Sequence, residues 1–169
     1  MPRYRRHFQT QDWIFLTIVT GKRRPWLRDA ASKNLLINAL RALKRRHPYT
    51  HLAHVILDDH MHWLLIANDG SDLPTLVSYL KRKTLFDRRT AGLCWRGLWQ
   101  SRYYDHIIRD ERDFRRHMDY IHYNPVRHGY VARASQYRWS SFNTWMQRGM
   151  YTPCWGVREP PGINGMNLE

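Results

Sequence analysis

The sequence predicts an α+β fold, an antiparallel sheet with helices against one face and a further helix and tail added after it. Three observations carry this. Short runs rich in β-branched and aromatic residues alternate with two longer stretches whose leucines recur every three or four positions. In chain order these segments read strand, helix, strand, strand, helix, strand. A length of 169 residues, 43% of them hydrophobic, suffices for one core and predicts a single domain over 1–169.

Residues 1–11 read as a basic arm with Arg3, Arg5 and Arg6, 12–130 as the core holding any site, and 131–169 as a C-terminal extension. Trp13 to Thr20 is a run of aromatic and β-branched residues, a buried strand broken by Gly21 and Pro25. From about Ala30 to Arg46, Leu35, Leu36, Ala39, Leu40 and Leu43 keep helical spacing, with Lys33, Arg41, Lys44 and Arg45 expected on the outer surface. His47-Pro48 ends that helix. Thr50 to Leu57 is a second strand with imperfect alternation, and Asp58-Asp59 turns it into a third over His60–Ile66. After the turn formers of 68–72, a second helix runs from about Leu73 to Thr90. Leu76, Leu80 and Phe86 are its expected core positions, and Lys81, Arg82, Lys83, Arg88 and Arg89 its expected outer face. An aromatic connector with Trp95, Trp99 and Tyr103 leads to a fourth strand over Asp105–Arg109. This βαββαβ order is the ferredoxin-like arrangement.

A net charge of +14 beside 14% aromatic residues describes a folded domain with a strongly positive surface, whose usual partner is nucleic acid. Cys94 and Cys154 are isolated, which excludes a zinc ribbon or a disulfide framework. The charged, aromatic N-terminus has no signal-type apolar core, and no run approaches the roughly 18 apolar residues of a spanning helix. The expected setting is cytoplasmic and reducing, without a membrane partner.

Side chains two apart on a strand share a face, so His60 and His62 present two imidazoles together while Met61 and Trp63 point the other way. Two such imidazoles make half of a divalent-metal site. With 10 histidines in the chain, about half a His-x-His pair arises by chance, so the pair needs a companion element. Asp110 and Asp113 open a helix at about Glu111 as N-cap and N3 carboxylate. Phe114, Met118 and Ile121 form its core stripe, and Asp113, His117, Tyr120 and Asn124 a neighbouring one. Tyr120 and Asn124 lie about 6 Å apart along the axis. That spacing suits a phenol attacking a phosphodiester beside a metal held by His60, His62 and Asn124. It equally suits a half-buried packing tyrosine and a turn-forming Asn before Pro125.

His60-Met61-His62 resembles the His-hydrophobic-His signature of the HUH single-strand nucleases. The stretches Trp99–His106, Asp119–Gly129 and Tyr137–Phe142 resemble the REP-associated tyrosine transposases, in order, within a likeness running from about Tyr4 to Phe142. The resemblance implies a metal-dependent single-stranded DNA endonuclease and strand transferase, with Tyr120 forming a 5′-phosphotyrosine. It implies His60, His62 and Asn124 as ligands, Mg²⁺ as the ion with Mn²⁺ able to substitute, and hairpin-forming palindromic repeats as partners of a monomer or homodimer. Candidate nucleic-acid contacts are Arg3, Arg5, Arg6, Lys81, Arg82, Lys83, Trp99, Arg102 and Tyr103, each with an ordinary surface or packing role as its alternative. The rival reading is a non-catalytic nucleic-acid-binding module on the same fold, which binds DNA without a covalent adduct.

Overall fold

The computed structural model describes residues 11–94 and 96–168, so Arg3, Arg5, Arg6 and Trp95 lie outside the described residues. The apolar run of β1 (Trp13–Val19) is buried on both faces because it takes a central place in the sheet. β3 (His60–Ala67) lies beside it, β2 (Tyr49–Ile56) beyond β3, and β4 (Tyr104–Ile107) on the far side of β1. The order β2-β3-β1-β4, antiparallel throughout, is the ferredoxin-like sheet.

α1 (Ala30–Arg46) and α2 (Leu73–Thr90) cover one face of this sheet, each capped by an aspartate. Asp29 accepts from the Ser32 amide at 2.7 Å and Asp72 from the Thr75 amide at 2.7 Å, satisfying donors that the first turn leaves open. Alternation decides which strand residues meet them. Ile14, Leu16 and Ile18 of β1 and Met61, Trp63 and Leu65 of β3 join this first core. Phe15, Thr17, His60, His62 and Leu64 therefore face the opposite side, where α3 (Glu111–Arg127) packs with Met118, Tyr120 and Ile121.

Three sequence expectations are corrected. Phe86 is 64% exposed, because six residues beyond Leu80 it has turned about 240° from the core stripe. Arg88, eight beyond Leu80, continues that stripe and is buried. Its guanidinium donates to the Cys94 carbonyl at 2.9 Å and to Ser32 Oγ at 2.8 Å, and stands over Trp26. Lys33 is likewise buried, its ammonium donating to the Leu27 carbonyl at 2.7 Å and to Asp58 Oδ1 at 2.8 Å. Both cations sit inside because every charge-bearing end reaches an acceptor.

The irregular alternation of β2 is a bulge. His51 pairs with Leu65 and Ala53 with Leu64, leaving Leu52 as an extra residue. Tyr49, before it, belongs to the first core, whereas Ala53 and Val55, after it, belong to the second beneath α3. The outer edge of β2 is closed by the chain after α3: the Ile56 amide donates to the Trp139 carbonyl and the Ser141 amide to the His54 carbonyl. The short α4 (Phe142–Gln147) follows, and the C-terminal tail returns Ile163 and Met166 to the second core.

Candidate metal and nucleophile site

Between the central strands and α3 lies a polar patch inside an otherwise apolar layer. His60 and His62 are 2% and 0% exposed, with ring centres 4.8 Å apart. Each ring has one nitrogen committed. Asp59 Oδ1 lies 2.6 Å from His60 Nδ1, and a carboxylate can only accept, so the proton sits on Nδ1. Thr17, paired with His62 in the register, donates its hydroxyl to the Leu168 carbonyl at 2.6 Å. Its oxygen, 2.9 Å from His62 Nδ1, is then left to accept, so Nδ1 carries the proton there too. Both Nε2 atoms are left as lone pairs, buried and without a hydrogen-bond partner among the described residues.

Asn124 lies on α3 between Tyr120, whose ring centre is 5.1 Å from that of His62, and His128, whose ring centre is 5.9 Å from that of His60. It is fully buried, and neither its amide oxygen nor its nitrogen has a partner. Among the described residues, seven buried polar side-chain atoms are unpartnered, and four belong to His60, His62 and Asn124. Unsatisfied buried groups cost stability, so their concentration at one place marks a site prepared for a ligand. Two imidazoles and an amide are neutral donors that fit a divalent cation. The electrostatics agree. Burial, then the fields of His60, His128 and His117, holds the His62 pKa well below its ordinary value, so the ring stays unprotonated. The hydrogen bond from His60 lowers that of Asp59, which stays ionised and keeps the ring turned.

Tyr120 sits next to this patch, 1% exposed, with its ring centre 5.1 Å from His62 and 6.1 Å from Phe15. The Arg127 guanidinium stands 5.8 Å over the ring, and the Leu168 amide donates to the phenol oxygen at 3.3 Å. Two other tyrosines of the motif are placed differently. Tyr123 packs toward Trp155 and Gly156, and Tyr130 lies beyond the helix, 40% exposed. α3 continues through Pro125 and ends in a Schellman turn: the Gly129 amide bonds the Val126 carbonyl and the Tyr130 amide the Pro125 carbonyl. Asn124 is thus a helical residue rather than a turn former. Gly129 supplies the positive φ of +70° that the turn requires.

About two turns before Tyr120, Asp113 gathers two further histidines. His106 Nε2 lies 2.8 Å from Oδ2 and His117 Nδ1 3.2 Å from Oδ1, with the two rings stacked 4.8 Å apart. The Arg109 amide donates to the same carboxylate, which thereby joins β4 to the first turn of α3. Burial lowers the His117 pKa against the opposing pull of Asp113.

The structure brings His60, His62 and Tyr120 together, with Asn124 buried one turn after Tyr120 on the same helix. It places Lys81, Arg82, Lys83, Trp99 and Tyr103 with the helical layer on the opposite face of the sheet. Lys81 is half-buried and donates to the carbonyls of Gln100 at 2.8 Å and Ser101 at 3.3 Å, and burial lowers its pKa. Tyr103 lies under the Lys81 ammonium. Trp99 packs edge-on against Trp26 and donates its indole N–H to Thr84 at 2.8 Å. Lys83 is paired with Asp87, whereas Arg82 and Arg102 are exposed. Thr17 and Arg127 were missed by sequence reasoning. The signal for Thr17 was a lone hydroxyl in an apolar strand, on the same face as Phe15.

Comparisons with known proteins show the family of the chain. The family model of IS200-like transposases matches residues 9–124. A REP-associated tyrosine transposase of Escherichia coli K12 is 31% identical over 156 residues, covering 92% of this chain and 91% of that protein. A Haemophilus influenzae protein described as a candidate of the same kind is 34% identical over 178 aligned positions, covering 98% and 99%. A solved structure of a REP-associated tyrosine transposase bound to a REP hairpin superposes with a TM-score of 0.80 at 31% identity, covering 96% of both chains. The chain therefore belongs to the IS200-like transposases, in the branch of the REP-associated tyrosine transposases.

Proposed function

We propose that this transposase cuts and rejoins single-stranded DNA beside hairpin-forming palindromic repeats, with Tyr120 as nucleophile and a divalent ion at His60, His62 and Asn124. The observation that carries this is the set of three unpartnered buried ligand atoms, Nε2 of His60, Nε2 of His62 and the amide oxygen of Asn124, on two elements that also hold a buried tyrosine against His62. When bound, the ion supplies positive charge to the scissile phosphate and to the departing oxygen. Mg²⁺ is the proposed ion, and Mn²⁺ suits the two imidazoles at least as well.

The chain's own residues divide the remaining work. Asp59 and Thr17 hold the protons on Nδ1 and so aim both Nε2 lone pairs inward. α3 carries Tyr120 and Asn124 one turn apart on one face, so nucleophile and ligand move as a unit. The phenol oxygen forms a bond to phosphorus as the bond to the 3′ oxygen breaks. The phenolic proton is released, and the 3′ oxygen leaves as a hydroxyl. The 5′-phosphotyrosine conserves the ester, so a 3′ hydroxyl can attack it and reverse the step. Arg127, over the Tyr120 ring, is placed to meet the phosphate.

A repeat hairpin with a single-stranded flank, incubated with Mg²⁺ or Mn²⁺ and run on a denaturing gel, tests the reading. The expected result is a cleaved strand and a covalent protein–DNA adduct, with Tyr120→Phe retaining hairpin binding but giving neither. Normal cleavage by that variant, an adduct mapped to Tyr123, or full activity in excess EDTA overturns it.

A further inference from the structure

We propose that His128 is a fourth protein ligand of the same ion, closing on it from the rim of the site. This rests on the metal reading above and adds a residue that neither the His-x-His spacing nor the Tyr120–Asn124 spacing selects.

Position is the first argument. His128 caps α3 four residues after Asn124, and its amide donates to the Asn124 carbonyl, so the two side chains follow one another on one helix face. The Schellman turn at Gly129 halts the helix at this residue, which fixes the imidazole at the end of α3 instead of in a wandering loop. Its ring centre is 5.9 Å from that of His60, on a side chain that is solvent-exposed where His60 and His62 are sealed.

Ring geometry is the second. An imidazole bound at about 2.1 Å sets its ring centre about 3.2 Å from the ion, so two rings at right-angled to tetrahedral positions stand about 4.5–5.2 Å apart. His60 and His62, at 4.8 Å, fall within that range. His60 and His128, at 5.9 Å, fall less than about 1 Å outside it, which an exposed side chain covers by rotating.

Ligand chemistry gives the consequence. Three imidazoles and an amide form a nitrogen-rich set, better matched to Co²⁺, Zn²⁺ or Mn²⁺ than to Mg²⁺. His128 would then tune which ion the site retains.

The test is calorimetric titration of the full chain with Co²⁺ and with Mg²⁺, together with the visible absorption of the Co²⁺-loaded protein. Wild type is compared with His128→Ala and His60→Ala, after far-UV circular dichroism has established equal folding. Even outer-sphere partners of a metal cost about 10–100-fold in affinity when removed, so His128→Ala should lower Co²⁺ affinity at least about tenfold. It should also alter the absorption bands while shifting Mg²⁺ affinity much less. If His128→Ala keeps the wild-type Co²⁺ affinity and spectrum while His60→Ala loses both, this inference falls and the metal reading stands. If wild type binds neither ion, the metal reading falls and takes the inference with it.

Discussion

Met61 and His62 are neighbours in β3, yet they look into opposite chemistry. Met61 enters a layer sealed by α1 and α2, apolar apart from fully bonded groups such as Lys33 and Arg88. His62 enters the layer under α3, where hydrophobic packing surrounds polar atoms that nothing among the described residues satisfies. One sheet therefore keeps its stability on one side and its reactivity on the other. The difference shows that burial alone does not separate core from site: both layers are dry, and only partner bookkeeping distinguishes them.

The largest expected effect tests that separation. Trp63→Ala, on the sealed face, should cost about 3–5 kcal/mol and leave the His51 nitrogen that accepts its indole N–H without a partner. His62→Ala, one residue away, should cost far less stability while abolishing metal binding and cleavage. Denaturant unfolding of both variants checks this. Equal destabilisation would make the α3 face an ordinary core.

Next in size is a pH effect from histidines whose nitrogens are bonded. His122 bonds Tyr151 and Ser141 and is pushed down to about 3 by burial, and His51, bonded to His54 and Trp63, to about 4. Their unfolded pKa is near 6.5, so below it the unfolded chain takes up protons that the folded chain refuses. The stability is fully present above pH 6.5 and is lost as pH falls toward 4. Both together give a slope of up to about 2.7 kcal/mol per pH unit. Melting curves from pH 7.5 to 5 should show it, and His122→Gln should flatten it. An unchanged slope in that variant would assign the effect elsewhere.

Smaller again is the loss of the groups that aim the open pair. Thr17→Val and Asp59→Asn should each weaken divalent-metal affinity about 10–100-fold, with little change in melting temperature. Metal titration reads this directly. Affinity unchanged in both variants would mean that the rings hold their orientation without these partners.

The smallest effect is at the end of α3. Gly129→Ala meets no atom within 4 Å, so only the strain of φ +70° remains, about 1 kcal/mol. Thermal unfolding should register that cost, and a stabilised variant would contradict the turn geometry.

Much of this was legible in the sequence where the signal is local. Period two placed His60 and His62 together, and period 3.6 placed Tyr120 and Asn124 on one stripe of α3. What escaped was set by distant partners. Lys33 reads as a solvated cation until Asp58 is brought to it across 25 residues, and Thr17 means little until His62 pairs with it 45 residues on. Asp59 was visible but passed for a turn residue, because a carboxylate at a turn looks the same whether or not it also orients a ring. Phe86 is a different case: its angle around α2 was calculable, and the hydrophobic residue outweighed the arithmetic.

The bulge in β2 gives that strand two phases. Before Leu52 its odd positions close the helical layer, and after it they form the floor on which α3 rests. Substituting Leu52 removes contacts, whereas deleting it restores regular pairing with both phases kept, because His51 and Ala53 already oppose the adjacent residues Leu65 and Leu64. A one-residue change of length elsewhere in β2, with the bulge kept, turns either Tyr49 and His51 away from the helices or Ala53 and Val55 away from α3. The number of residues in β2 is thus as constrained as their identity, and a change of length in an edge strand, far along the chain from Tyr120, would tilt the helix that carries it.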